Sequence, residues 1–358
     1  MKSLEIKIAD AMHRIEDLYN ETDGKCYVSF SGGKDSTVIL ALIKMCIDIY
    51  TLPTDGIKAV FSDTGIELGA TRDFVKWCKD NWYSNIEIIR PEKTFSWVIE
   101  NHGKPIKSKM KSEFIARFQK TGRKDTLSFE YMIGDGSNGK SYARVKIADR
   151  DLHLIHDDLD IKVSDSCCKW LKKKPFEKYN KENDVRGYIL GERMAEGGAR
   201  ALNNDKRIAN GGKLCTKTKG NYIVKLPIID WTDNDLDEFI KKYNVPLSKA
   251  YTEHGYERTG CFLCPFSHQL SDNLEKLHTY EPNRYKAAMF WLKDVYIAQN
   301  VKLHFDEQYE FERQQKWAKD YERMRYEMLL EYRPEKAHKY TEKQADLFDY
   351  LEKEDVHS

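Results

Sequence analysis

The chain has 358 residues, 41% of them hydrophobic and 33% charged, with a formal net charge of +1. That length exceeds the roughly 100–200 residues of an average domain, and the composition is that of a globular protein with a substantial core. A total charge this close to zero excludes attraction to nucleic acid or a membrane through the overall field, and leaves only local patches to provide it.

The opening segment, MKSLEIKIADAMHRIEDLYNE, reads as an amphipathic charged helix rather than a signal peptide, which needs an unbroken apolar stretch. No apolar run approaches the ~20 residues that span a bilayer. The expectation is a soluble, cytoplasmic protein whose eight cysteines stay reduced. Residues 26–30 (CYVSF) are short, apolar and β-prone, and run into a Ser-Gly-Gly turn ahead of an apolar helix over 37–49. A second strand over 57–61 ends at Ser62-Asp63-Thr64-Gly65, a helix follows over 67–82, and 86–89 reads as a third strand.

Residues 103–160 break the rhythm. They are rich in Lys, Arg and Asp, and GDGSNG at 134–139 is a turn signal between strand-like runs at 126–133 and 141–147. An inserted hairpin or lid is expected there. Strand 187–190 resumes the α/β pattern, then strand 222–226, then a helix over 234–243 with its N-cap at Thr232 or Asp233. From about 271 onward the chain reads as helical, charged and aromatic. The fold class expected is α/β, a doubly wound and mostly parallel sheet with right-handed crossovers, over residues 1–270, with a helical C-terminal extension over 271–358. Ligands of such sheets sit at the carboxyl ends of the strands, where both glycine-containing turns fall.

The segment Ser31-Gly32-Gly33-Lys34-Asp35-Ser36 suits phosphate. The glycines admit close approach of an anion to the backbone, the amides and helix start add partial positive charge, Lys34 adds a full one, and Ser31 and Ser36 add hydroxyls. It is not a Walker A loop, whose spacing differs. Taken alone, such a turn could also be a tight strand-to-helix connection with a solvated lysine.

SFSGGKDST followed by FSDTG resembles the adenine-nucleotide α-hydrolases, or PP-loop ATP pyrophosphatases, and within them the phosphoadenylylsulfate-reductase branch. Gly191-Glu192-Arg193 with Arg200, the run Pro227-Ile-Ile-Asp230-Trp231-Thr232, and Val245-Pro246, Tyr251, Gly255-Tyr256 and Arg258-Thr-Gly-Cys261 extend the resemblance over residues 20–270. It implies that the loop holds the β- and γ-phosphates of ATP with Mg²⁺, that the α-phosphorus is attacked to release pyrophosphate, that Asp63 and Gly65 line the nucleotide pocket, and that Arg193 and Arg200 contact anionic groups. Read without it, Asp63 could cap the next helix and each arginine could be a surface charge.

Cys167-Cys168 and Cys261-Phe-Leu-Cys264 form a second constellation, since clustered cysteines in a reducing compartment point to metal or catalysis. Two close pairs of thiolates suit an iron–sulfur cluster or a tetrahedral zinc; adjacent cysteines fit paired zinc ligation less well. The run CCKWLKKKP resembles the CC-x-x-R-K-x-x-P segment of adenylylsulfate reductases, which bind a [4Fe–4S] cluster through CC…CxxC. Lys172 is retained, whereas Leu171 stands where that family usually has Arg. Cys26, Cys46 and Cys78 read as small core residues, and Cys215, in KLCTKTK, as a loop thiol that nearby cations could activate.

Sulfonucleotide reductases use a nucleophilic cysteine near the C-terminus, and no cysteine follows Cys264; they also tend to carry a degenerate loop, and this one is intact. The combination resembles ATP-dependent sulfurtransferases such as tRNA thiolases and the ATPase of DNA phosphorothioation systems. The expected chemistry is adenylation of an acceptor, with Lys34 and Asp35 serving the pyrophosphate end and sulfur then delivered from the cluster or Cys215. A sulfur donor such as a cysteine desulfurase, a nucleic-acid acceptor, and self-association or a protein partner through the C-terminal helices are the partners implied. The alternatives are a reductase that recruits Cys215, an ATP-sulfurylase-like enzyme, and a non-catalytic nucleotide sensor.

Overall fold

The computed structural model describes residues 2–134 and 144–337, apart from the side chains of 198–200, and the chain divides into two compact units. The first comprises residues 1–95 and 168–262, the second 96–167 and 263–358.

A six-stranded sheet runs through the first unit in the order β3-β2-β1-β4-β6-β5, with β1 Cys26–Ser29, β2 Lys58–Ser62, β3 Ile86–Ile89, β4 Gly187–Ile189, β5 Thr216–Lys219 and β6 Tyr222–Lys225. Every pairing is parallel except β5 with β6. The doubly wound α/β expectation is therefore met. Strand β5 was not anticipated: TKTK is polar throughout, because it is an edge strand whose ladder partner, not its side chains, holds it in place.

Alternation along β1 divides two apolar layers. Cys26 and Val28 pack under α1 (Leu4–Glu21), α2 (Lys34–Asp48) and α3 (Gly69–Asn81), whereas Tyr27 belongs to the opposite face. There its ring stacks on Phe176 at 5.6 Å and on Tyr188 at 5.5 Å, beneath the helix Lys174–Glu182. Helix α2 buries nine of its fifteen residues, which explains why its sequence is apolar almost all round. Cys26, Cys46 and Cys78 are core residues as expected, and burial pushes their thiols up to about 11, 12 and 12.

Helix Asp233–Lys242 starts on a capping box: Asp235 N–H donates to Thr232 Oγ1 (3.2 Å) and Thr232 N–H to the Asp235 carboxylate (2.7 Å). Arg14 of α1 clamps the segment before it, donating to Pro227 O and Asp230 Oδ1, both at 2.7 Å.

The second unit is helical. The run at 126–133 read as a strand is instead the helix Leu127–Ile133, because Thr126 caps it by accepting from Phe129 N–H and because Phe129 and Met132 turn to the same buried side. Residues 135–143, most of the expected turn and the start of the second strand, lie outside the described residues, and 144–147, the rest of that expected strand, form a turn and an irregular stretch instead. Helices Leu270–Tyr280, Pro282–Ala298 and Glu307–Lys316 follow, the last continuing through a wide turn at Trp317–Tyr321 into Glu322–Tyr332. Of the aromatic residues in this segment, Tyr285, Tyr296, Tyr309, Trp317 and Tyr321 are buried in this unit's own core. Tyr296 and Tyr309 donate to the carbonyls of Leu263 and Val301, both at 2.8 Å. Among the described residues no helix is long and apolar enough to cross a membrane.

Candidate functional site

The chain winds away from β1 in opposite directions, β2 and β3 to one side, β4 and β6 to the other, so the switch point of the sheet lies between β1 and β4. The segment 31–36 leaves the end of β1 there, and Gly191-Glu192-Arg193 leaves the end of β4. Gly191 lets the two exits meet: a Cβ on it would stand 3.1 Å from Asp35 Cβ and 3.2 Å from Ser36 N.

The two loop glycines serve different ends. Gly32 has φ +70, and a Cβ there would stand 2.9 Å from Thr71 Cγ2 of α3, so conformation and space both require glycine. Gly33 has an ordinary φ of −88 but is ringed by hydroxyls: a Cβ would lie 3.2 Å from each of Ser31 Oγ, Thr259 Oγ1 and Tyr251 OH. Ser36 Oγ accepts from Ser31 N–H (3.2 Å) and donates to Gly33 O (3.0 Å), while Thr37 Oγ1 donates to the same carbonyl (2.9 Å). Tyr251 OH accepts from the N–H groups of Lys34 and Thr259, each at 3.3 Å, and burial pushes its pKa up. The Lys34 ammonium lies 5.6 Å from the centre of the Tyr251 ring and 4.0 Å from Asp237. Hydroxyls, amides and one ammonium thus converge on the start of α2, a donor set suited to a polyphosphate.

Arg193, 5% exposed, donates through Nε to Asp35 and through Nη2 to Asp233 at 2.8 Å. Instead of presenting free positive charge, as its expected role would suggest, it is neutralised by two carboxylates. Arg200 lies on the helix Gly198–Ala209, and its side chain is outside the described residues. Asp63 does not cap α3, whose N-cap is Leu68. Its buried carboxylate accepts from Gly65 N–H (3.3 Å), Arg72 Nη2 (3.2 Å) and Arg90 Nε (3.3 Å). Gly65, at φ +81, has open space where a Cβ would be. A cavity of 570 Å³ in this unit runs along the β3 edge beside Trp170, Lys174 and Tyr179, and none of residues 31–36 lines it.

The division of the chain falls within both cysteine pairs: Cys168 and Cys261 belong to the first unit, Cys167 and Cys264 to the second. All four are half-buried. Among the described residues no group of three or more His, Cys, Asp or Glu is arranged to hold a metal ion. In the first unit Lys172 is hydrogen-bonded to Cys261, and the attraction of the Cys261 sulfur, with that of Glu67 and Cys168, holds its pKa well above the ordinary lysine value. Burial pushes the Cys261 thiol up, and Lys172 acts against it. Glu67 is itself buried and accepts from Thr64 N–H at 3.0 Å, and its backbone bridges to Cys261. Two thiols beside a buried cation are chemically fit to act as thiolate ligands. Cys215 directly precedes β5, half-buried against the apolar layer that contains Tyr27, Tyr188 and Val224.

Nothing in the sequence placed Glu67, Arg72, Arg90, Asp233, Tyr251 or Thr259 at the site, and Asp233 stood out there only as a candidate N-cap. Tyr251 and Thr259 did fall within the segments that carry the resemblance, but only the fold shows that their hydroxyls meet at Gly33.

The phosphoadenosine phosphosulfate reductase domain matches this chain over residues 25–133 and 137–267. The chain belongs to that family. Adenosine 5'-phosphosulfate reductase of Oceanobacillus iheyensis is 24% identical to it over 226 residues, 56% of this chain and 87% of the relative. Two uncharacterized proteins of Methanocaldococcus jannaschii are similar as well, at 23% over 269 residues and 26% over 261 residues. These matches take in 74% and 72% of this chain but only 47% and 39% of the two relatives, so the chain spans less than half the length of each. Among solved structures, phosphoadenylyl-sulfate reductase of Candida auris in its phosphate complex is 16% identical, with a TM-score of 0.38 over 66% of this chain and 81% of that one. FMN adenylyltransferase of Candida glabrata, with FAD and inorganic pyrophosphate, is 13% identical with a TM-score of 0.39, over 73% and 65% respectively.

Proposed function

We propose that this family member is a cytoplasmic ATP-using enzyme that adenylates an acceptor, releases pyrophosphate and then transfers sulfur to the adenylated acceptor. The observation that carries this reading is the intact donor ring around Gly33 at the switch point of the sheet. A loop with both serines, both glycines, Lys34 and Asp35 in place has the means to hold a β,γ-pyrophosphate, which a sulfonucleotide substrate lacks.

In this reading ATP lies across residues 31–36 with Asp63 and Gly65 beside the nucleotide. An acceptor oxygen attacks the α-phosphorus, the bond to the α,β-bridging oxygen breaks, and pyrophosphate leaves with its charge met by Lys34 and the loop amides. Mg²⁺, when bound, would share that charge. Arg193 keeps Asp35 in position. A sulfur nucleophile then displaces AMP, and Cys215 is the thiol available to carry it. Cys167, Cys168, Cys261 and Cys264 would hold a [4Fe–4S] cluster, which when bound supplies a place for sulfide, with Lys172 balancing the thiolate charge. A cysteine desulfurase is a suitable sulfur donor, and a nucleic acid a suitable acceptor.

The test has separable parts. ATP binding should fall in Lys34→Ala and Asp35→Ala, and pyrophosphate should be released only with acceptor present; unchanged ATP affinity in both variants sinks the adenylation step. Anaerobically purified protein should contain iron and acid-labile sulfide; zinc in their place overturns the cluster. Cys215→Ser should keep pyrophosphate release and lose sulfur transfer, whereas thioredoxin-dependent sulfite formation from adenylylsulfate would establish the reductase reading instead.

A further inference from the structure

In the second unit a cavity of 420 Å³ is walled by residues from five separated stretches of chain, a size ordinary for a small-molecule site. Lys107, Arg150, Lys302 and Arg325 line it with four cations, and Asp151 is the only carboxylate among its described lining residues. Asp151, 5% exposed, is already engaged: Lys107 Nζ lies 2.7 Å from one oxygen and Arg150 Nε 3.9 Å from the other. Arg325, 7% exposed, has Glu322 of its own helix 2.5 Å away. Arg150 and Lys302 are exposed at the wall, where their charges are open to an arriving anion.

Burial lowers the pKa of Lys111, and Lys107 and Arg150 push it the same way against Asp151. The wall also offers a spare donor. Gln299 Oε1 accepts from Lys107 N–H at 2.7 Å, while the buried Nε2 of Gln299 has no acceptor among the described residues. Ammonium, guanidinium and amide N–H groups around one hollow are the donor set of phosphate recognition.

We propose that this cavity is an anion site of the second unit that takes a phosphate group, carried by a free small phosphate or by the backbone of a polynucleotide. It is separate from the glycine loop and independent of the adenylation reading.

The experiment uses the full chain and its Lys34→Ala variant, which weakens any phosphate binding by the loop. Binding of a labelled ten-nucleotide single strand is followed by anisotropy, and inorganic phosphate by calorimetry and by competition with the strand. Arg150→Glu/Lys302→Glu reverses two exposed side chains at the wall and should leave the unfolding midpoint unchanged. It should weaken binding about tenfold and reduce the salt slope for the strand by about 1.4, as expected for two lost phosphate contacts. Lys76→Glu/Lys286→Glu, which makes the same change in net charge away from the cavity, should weaken binding less than about twofold. Competition by phosphate identifies a site open to both sources, strand binding without competition assigns the polynucleotide backbone, and phosphate binding alone assigns a free phosphate. Equal losses from the two double variants, or no binding of either probe, overturns the proposal.

Discussion

Arg193 Nε donates to Asp35, and Nη2 of the same guanidinium holds Asp233 at 2.8 Å, so one buried side chain ties the exit of β4 to the glycine loop and to the start of the helix Asp233–Lys242. Removing it strands two carboxylates. Arg193→Ala should cost about 2–3 kcal/mol, less than the loss of a fully buried pair because Asp35 is partly and Asp233 largely exposed. Arg193→Lys should recover only part of it, since an ammonium cannot serve both partners with a planar fork. A double-mutant cycle with Asp35→Asn, read from denaturant midpoints, should show a coupling of about 1–2 kcal/mol; additive losses would mean that the contact holds nothing.

The loop glycines should separate stability from binding. Gly32→Ala places a side chain at φ +70 and 2.9 Å from Thr71 Cγ2, and should destabilise the protein by about 2 kcal/mol. Gly33→Ala has a permissive φ, so its unfolding midpoint should stay within about 0.5 kcal/mol of the parent. Its methyl nevertheless enters the ring of Ser31, Thr259 and Tyr251 hydroxyls, and ATP affinity should fall about tenfold. A Gly33→Ala protein that binds ATP normally would show that this ring is only structural.

The parallel strands were legible because both faces of the sheet are covered, which makes residues 26–30, 57–61 and 86–89 apolar runs bounded by turn residues. The edge strand β5 left no such trace. Leu127–Ile133 misled for a related reason: LSFEYMI is β-prone by composition, and only the Thr126 cap and the pairing of Phe129 with Phe118 at 4.9 Å make it helical. At the site, local chemistry was readable and long-range pairing was not. The loop announced its anion preference in six consecutive residues, while nothing near Arg193 in sequence reveals that Asp35 and Asp233 will claim its charge.

Lys172 offers a test that distinguishes folding from metal content. Lys172→Met leaves buried Glu67 without its cation and should cost about 3 kcal/mol even in metal-free protein. Adding Glu67→Gln removes the stranded charge and should restore most of that stability. If Lys172 also balances thiolate charge at Cys168 and Cys261, iron and labile sulfide per chain should stay low in the double variant although its fold has recovered. Full iron content in a stable Lys172→Met/Glu67→Gln protein would confine the lysine to a structural role.

His153 gives the second unit a defined acid sensitivity. Its ring is fully buried between Trp317 and Tyr321, with Nε2 2.7 Å from Ala298 O. Burial lowers its pKa from 6.5 to about 4, with Lys107 and Arg325 acting in the same direction and Asp151 and the Ala298 carbonyl opposing. Because the folded value is depressed, the unfolded chain takes up the proton first as pH falls. The stability His153 contributes is therefore complete above pH 6.5 and is lost progressively toward pH 4. At pH 5 the loss is about 2 kcal/mol, from 1.36 kcal/mol per pH unit. His153→Phe should be less stable at pH 7.5, because the Ala298 carbonyl loses its donor, yet its stability should fall less steeply between pH 6.5 and 4.5 than that of the parent. Chemical denaturation across that range reads the two slopes, and parallel curves would show that His153 is not the group that titrates.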